Sequence, residues 1–450
     1  MKKHPTDLHL EGLFLSQDRE RRKILLHIAE CPRCRERIED ILHGQRERPG
    51  VMPDGSEESG RDETEPGLGG LSLPLVLILK KERVDAPELF VELLRTPAEH
   101  RAVLLRTSAR FHTWGFYELL VERSLETATR DPNLAEELGR LAFGLSDRLD
   151  ANLYGAEVVE DLRGRAWAFI ANARRVRSDL AGADEAFLVA RSHLRKGTQD
   201  PLEIAVLLDL EASLRRAQRR FDESERLLRQ AAEIFLRHDD PHRSGRSLVK
   251  LSTVHYFAGN LEEALADLRR SLDLLDVEQE PRLRLCAQHN LIWYLTEAGH
   301  FEEARGVYRE TRPLYRDFAE PWVQNRRKWV RGRILRGLGH LVPAESLLLT
   351  ARDGFLAEGI PYDTALVSLE IATLYAEQGR TTELKRLAGE MVPIFSSLHI
   401  HREALAALAF LTQAIEAEAA GLEIVKSVAD YLRRAANEPE LRFQEPEIRG

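Results

Sequence analysis

A short turn recurs along the sequence at a fixed interval, and that period restricts the fold more than any other feature. Arg219-Arg220-Phe221, Gly259-Asn260-Leu261, Gly299-His300-Phe301, Gly339-His340-Leu341 and Gly379-Arg380-Thr381 follow one another at a constant interval of forty positions. A sixth turn, Ser178-Asp179-Leu180, lies one interval plus a single position upstream of the first, and a degenerate one falls near Arg130. Self-similarity at such a period is the mark of an array in which each unit buries its apolar face only against its neighbours. Seven positions before each turn stand Ala171, Ala212, Ser252, Ile292, Gly332 and Ala372, and five positions after it Ala183, Ser224, Ala264, Ala304, Ala344 and Leu384. Five of six are small in each column, which lets two helices of a hairpin approach closely. Phe187, Leu228, Leu268, Tyr308 and Leu348, four positions further on, are placed to fill the gap between neighbouring hairpins.

Between the turns, apolar residues recur at helical spacing, with Pro or Gly at the helix ends. Charged residues make up 31% of the chain and aromatics only 7%, a balance that favours long amphipathic helices and excludes an all-β protein. The expected fold class is therefore all-α. Six repeats cover residues 155–401, a helical region with the degenerate repeat precedes them at 71–154, a capping helical hairpin follows at 402–437, and 438–450 form a tail.

The segments YLTEAGHFEEARGVY and VHYFAGNLEEALADL resemble tetratricopeptide repeats: they share the turn Gly, the small residue five positions later and the aromatic or Leu nine later. The usual repeat of that family is shorter, at about 34 residues. The longer period resembles the extended tetratricopeptide-like units of bacterial signalling regulators, through an extra helical turn or longer connections. The resemblance implies a right-handed α-solenoid whose first helices line a concave groove. Its outward positions, carried onto this chain, are Arg165, Arg175, Arg216, Arg246, Tyr256, Trp293, Arg326, Trp329, Arg333 and Arg336. Two readings of this basic and aromatic set stay open. The arginines either pair with glutamates of neighbouring helices, or they clamp an acidic or C-terminal peptide with Trp packing beside it. The formal net charge of −9 argues against nucleic acid as the partner.

Residues 1–43 read as a small helical head, with helices expected at residues 7–15, 17–30 and 34–43. A core of that size needs a metal or a partner. His27, Cys31 and Cys34 form an H-x3-C-x2-C run: the first two share a helix face, and the Cys-Pro-Arg-Cys turn brings both thiolates to one point, a donor set suited to tetrahedral Zn²⁺. This run resembles the zinc-associated anti-sigma domain, over about residues 4–43. The resemblance implies a fourth ligand upstream, His4 or else His9, and a sigma factor as partner. The head either keeps that partner or has become a small docking module. Residues 44–70, rich in Gly, Pro, Ser and acids, are expected to be a disordered linker.

Catalytic motifs are missing: there is no phosphate loop, no H-E-x-x-H and no G-x-S-x-G, so the expected action is binding and not catalysis. His399, His401 and Glu403 read as solvated groups beside a helix start, and Cys286 as a helix residue of the array. The longest apolar run, Leu71 to Leu79, is interrupted by Ser72 and Pro74 and is too short to span a membrane, and the N-terminal stretch lacks the features of a signal peptide. A cytoplasmic regulator built for protein-protein interaction is the expectation, a soluble anti-sigma-like protein whose groove holds a peptide or protein. The alternative is a sensor that takes a small ligand in the groove.

Overall fold

The computed structural model describes residues 73–397, 408, 411, 415, 422–435, 443 and 444. The expected head and linker lie outside the described residues, and with them His4, His9, His27, Cys31 and Cys34; so do His399, His401 and Glu403. The chain divides after Gly70, and every described residue belongs to the second unit. Among the described residues there are eighteen α-helices and no strand. None of these helices is long and apolar enough to cross a membrane.

The helices pair in sequence. After α1 (Leu73–Arg95) and α2 (Ala98–Thr107) come α3 (Trp114–Thr127) with α4 (Pro132–Ser146), the short α5 (Ala151–Tyr154), α6 (Ala156–Val176) with α7 (Leu180–Leu194), and α8 (Pro201–Ala217) with α9 (Phe221–Arg237). The series continues with α10 (Pro241–Ala258) and α11 (Leu261–Leu274), α12 (Pro281–Glu297) and α13 (Phe301–Asp317), α14 (Pro321–Gly337) and α15 (Leu341–Ala357), α16 (Pro361–Glu377) and α17 (Thr381–Ser397). The last described helix, α18 (Leu422–Ala435), falls in the second half of the expected capping hairpin and packs on α16.

Each repeated turn is a C-terminal helix cap. Gly259, Gly299, Gly339 and Gly379 have φ between 66° and 88°, and Ser178 and Arg219 adopt the same left-handed conformation at 67° and 61°. In every case the next residue's N–H reaches back to the preceding helix: Asn260 to the His255 carbonyl at 2.8 Å, His300 to Leu295 at 2.8 Å, Arg220 to Arg215 at 2.8 Å. Glycine holds that conformation without the Cβ clash, so its recurrence is a backbone requirement. A second column opens the first helix of each hairpin: Pro201, Pro241, Pro281, Pro321 and Pro361 recur at the same interval as the turns, at a place where a missing N–H costs nothing. Asp200 and Asp240 cap two of these helices by accepting from the Leu202 and Arg243 N–H groups at 2.9 and 3.0 Å.

The extra length of the repeat resides in the helices. α8 and α9 have 17 residues each, and three-residue connections follow both, so the period exceeds the usual one by lengthened helices and not by longer loops. The small columns are buried, and at Ser224 they meet: its hydroxyl donates to the Ala212 carbonyl at 2.7 Å. At Gly332 a Cβ would stand 2.9 Å from the Leu348 side chain, so Leu348 fills space inside its own hairpin. Near the degenerate turn, Ser124 of α3 donates to the Ala135 carbonyl of α4 at 2.8 Å, a bond that ties this hairpin together without a left-handed residue in the turn. Where α1 crosses α3, a Cβ on Gly115 would lie 2.5 Å from the Glu82 backbone carbon, and the Gly115 N–H donates to the Glu82 carboxylate at 3.1 Å.

Candidate functional site

The first helices of successive hairpins form one face, and its arginines bridge from repeat to repeat. Arg165 of α6 reaches Glu203 of α8 at 2.9 Å, Arg246 of α10 reaches Glu280 at the start of α12 at 2.8 Å, and Arg326 of α14 reaches Asp363 of α16 at 3.1 Å. The partners stand 34 to 38 residues apart, close to one repeat, because equivalent positions of neighbouring first helices lie side by side. For these residues the ion-paired reading of the groove is the one observed.

The network is densest around Arg333. Its guanidinium donates to Glu370 of α16 at 2.7 Å, to Glu297 of α12 at 2.8 Å and to the Thr296 hydroxyl at 3.1 Å, and it lies 4.1 Å from the centre of the Trp293 ring. Burial lowers the Arg333 pKa, but the attraction of Glu370 and Glu297 overcomes it and the net shift is upward. Arg336 completes the lattice with Glu370 at 3.1 Å and Glu377 at 2.6 Å.

This geometry corrects the expectation of an exposed stripe. Trp329 is only 4% exposed and Arg333 8%. Trp329 packs edge-on against Trp293, with ring centres 4.7 Å apart, and against Phe355 at 5.9 Å, and among the described residues its indole N–H meets no acceptor. The large rings of adjacent repeats close over positions that a smaller side chain would leave open. Trp293 is half-buried, with its N–H 3.4 Å from the Tyr256 hydroxyl, and Tyr256 stacks on Tyr294 at 4.4 Å. Trp293, Tyr256 and Trp329 are thus part of the packing between repeats.

One part of this face open to a partner is a cluster of which the sequence singled out only Arg326. Trp322, 37% exposed, stands between Arg282 and Arg326, whose guanidinium carbons lie 5.8 and 5.9 Å from its ring centre. Arg282 also covers Phe318 at 4.8 Å and pairs with Glu320. The only sequence signal for Trp322 is its place beside Pro321, which fixes it in the first turn of α14. A small cleft beneath it is lined by Cys286, His289 and Tyr315. His289 Nδ1 and the Tyr315 hydroxyl are 2.7 Å apart; burial, aided by the charge of Arg326, pushes the His289 pKa down to about 3, and burial raises that of Tyr315. Cys286 lies on α12 as expected, as an exposed free cysteine; burial first, against the pull of Arg282 and Arg326, raises its thiol pKa.

Arg175 and Arg216 differ from the other arginines of the face. Arg175 donates to the Asn172 amide oxygen at 2.9 and 3.2 Å, and the Arg216 side chain forms neither a hydrogen bond nor an ion pair within the described residues. Among the described residues no group of three or more His, Cys, Asp or Glu side chains is arranged to hold a metal ion.

Comparison with known proteins agrees with this architecture. Residues 202–276, which span α8 to α11, match the tetratricopeptide repeat family. The apo form of RapI shares 11% identity over 71% of this chain and 86% of its own, with a TM-score of 0.54. A Rap protein complexed with competence and sporulation factor shares 14% identity over 71% of this chain and 87% of its own, with a TM-score of 0.49. Aspartyl phosphate phosphatase F from Bacillus subtilis shares 10% over 89% and 96%, also at 0.49. A search of curated proteins gives no match. The repeated caps, the paired helices and the family match together show an all-α solenoid with a tetratricopeptide-like repeat region.

Proposed function

We propose that this chain is a regulatory scaffold for protein-protein interaction whose partner, a protein or peptide, docks on the first-helix face. The observation that carries the reading is the exposed Trp322 held between Arg282 and Arg326. Trp and Arg dominate the energetics of protein interfaces, and a ring already positioned by two guanidinium groups loses little freedom on binding. The surrounding lattice of ion pairs supports the same role, since it keeps the helices that present this cluster in register. In this reading the protein acts by binding and not by catalysis, in the cytoplasm.

The head at residues 1–43 belongs to the same proposal: His27, Cys31 and Cys34, with His4 or His9, hold Zn²⁺, and the folded head engages a sigma factor or a related docking partner. Affinity capture with the full chain tests both halves. The reading expects one set of captured proteins to be lost with Trp322→Ala and with Arg326→Glu, and a sigma factor to be lost with Cys31→Ser alone. Capture unchanged in all three variants contradicts it. The second reading, a sensor that takes a small ligand on this face, is favoured by the cleft at Arg175 and Arg216.

A further inference from the structure

A cleft between successive first helices carries an inference separate from the Trp322 surface. Asn172 and Arg175 of α6, Ser213 and Arg216 of α8, and Lys250 and Thr253 of α10 line it, and the end of α3 closes one side. Its volume is about 270 Å³, and among the described residues no acidic one lines it. Elsewhere on the face Arg165, Arg246, Arg326, Arg333 and Arg336 each meet a carboxylate of a neighbouring repeat. Here the pattern breaks. Among the described residues Arg175 has only the neutral Asn172 oxygen, and the Arg216 side chain has no hydrogen bond or ion pair. Lys250 is neutralised by Asp209 at 2.5 Å. Two guanidinium charges are therefore left uncompensated in one partly buried recess.

That arrangement works against the ligand-free protein. Burial pushes the Arg175 pKa down to about 10, and the charge of Arg216 adds to the shift; burial lowers that of Arg216 as well, against a smaller raising effect of Tyr294. Both groups stay protonated at neutral pH, so the like charges persist until an anion enters. The charge count indicates which anion. A carboxylate brings one negative charge and leaves the recess positive, whereas a phosphomonoester brings about −1.5 to −2 at neutral pH and three acceptor oxygens, enough for both guanidinium forks. The Ser213 and Thr253 hydroxyls give their protons to the Asp209 and Val249 carbonyls, at 3.3 and 3.1 Å. The donors left for a ligand are therefore the two guanidiniums and the Asn172 amide NH2, together with the Thr129 hydroxyl and the Lys250 N–H not given to Asp209. Leu125, Val176 and Leu210 supply an apolar wall for the body that carries the phosphate.

We propose that the recess between Arg175 and Arg216 binds a phosphomonoester dianion whose organic part packs on Leu125, Val176 and Leu210. The test is calorimetric titration of the full chain with phenyl phosphate and, for contrast, phenylacetate. Phenyl phosphate should bind at least tenfold more tightly. Arg175→Gln and Arg216→Gln should each weaken phenyl phosphate about tenfold or more, the range for one charge-assisted hydrogen bond. Neither variant should melt below the wild type when ligand-free, because each relieves the repulsion; a purely structural arginine would give the opposite. Lowering the pH from 7.5 to 5.5 should weaken binding as the dianion takes up one proton near pH 6 and becomes the monoanion. Among the described residues no histidine lines the recess to mimic that effect.

A phosphotyrosine peptide is the second arm: tighter binding than phenyl phosphate assigns the dianion to a protein partner, and equal binding to a small ester, and both support the site. Equal affinity for phenyl phosphate and phenylacetate, wild-type affinity in Arg216→Gln, or no heat with phenyl phosphate at millimolar concentration overturns it. Trp322→Ala should leave these titrations unchanged, so failure of the docking surface and failure of this site are separately visible.

Discussion

Replacing Arg333 should reveal how far the first-helix face is an internal structure. The guanidinium is 8% exposed and donates to Glu370, Glu297 and Thr296 at 2.7, 2.8 and 3.1 Å while lying over Trp293. With Arg333→Ala, Glu370 keeps, among the described residues, only Arg336 at 3.1 Å, and Glu297 loses its charged partner from α14. Removing one side of a buried ion pair costs about 3–5 kcal/mol, mostly because the surviving charge stays buried. The loss of the cation–π contact belongs to the same truncation and is not added to it. Arg333→Met retains the stem that covers Trp293 and should cost less than the alanine variant. Arg333→Glu would place a third carboxylate beside Glu297 and Glu370 and should cost the most. The assay is urea unfolding followed by tryptophan fluorescence, since Trp293 and Trp329 sit in the affected contact. Because arrays need not unfold in one step, the transition to compare is the one in which these rings become solvated. A change below about 0.5 kcal/mol in Arg333→Ala, the range of ordinary surface substitutions, would refute the reasoning and return Arg333 to a solvated face.

Three further outcomes follow from other parts of the chain. His289 is held neutral, its pKa depressed to about 3 by burial first and Arg326 second, so the unfolded chain binds a proton the folded one does not as the pH falls below about 6.5. Its contribution is present above that pH and is lost on acidification, at up to about 1.4 kcal/mol per pH unit; urea titrations at pH 7 and pH 5 should show a smaller loss in His289→Gln than in the wild type, and equal losses contradict the assignment. Gly115→Ala should destabilise the α1–α3 crossing by about 1–3 kcal/mol, because the added methyl meets backbone at 2.5 Å, and thermal melting reads this directly. Elemental analysis of the purified full chain should give one Zn per chain, lost in both Cys31→Ser and Cys34→Ser; metal retained in those variants contradicts the ligand set.

The array was legible in the sequence because its caps are backbone events. A left-handed residue at a constant interval selects Gly, and the same column picks out Ser178 and Arg219, which hold the conformation without it. The proline column from Pro201 to Pro361 carries the same period and marks the first-helix starts. Exposure on the first-helix face was not legible. Offsets counted from the turn assign Trp329 and Arg333 to the open groove, but whether a position stays open depends on what stands on the neighbouring helices. Glu297 and Glu370 lie 36 and 37 residues from the Arg333 they cover, and the rings that close over Trp329, Trp293 and Phe355, belong to two other helices. Acids spaced 34 to 41 residues after Arg165, Arg246, Arg326 and Arg336 were the available signal for the ion-paired lattice. Their absence around Arg175 and Arg216 shows only when each partner is placed in space.

Site-specific photo-crosslinking in cells tests most directly the claim that partners dock on the first-helix face. A photoreactive residue is placed at Trp322, on the proposed surface, and in a second strain at Val342, which is 81% exposed on a second helix and equally able to react. The account predicts a discrete crosslinked species from position 322 that disappears when Arg326→Glu is added, and none from position 342. The same species from position 342, with none from position 322, would contradict it.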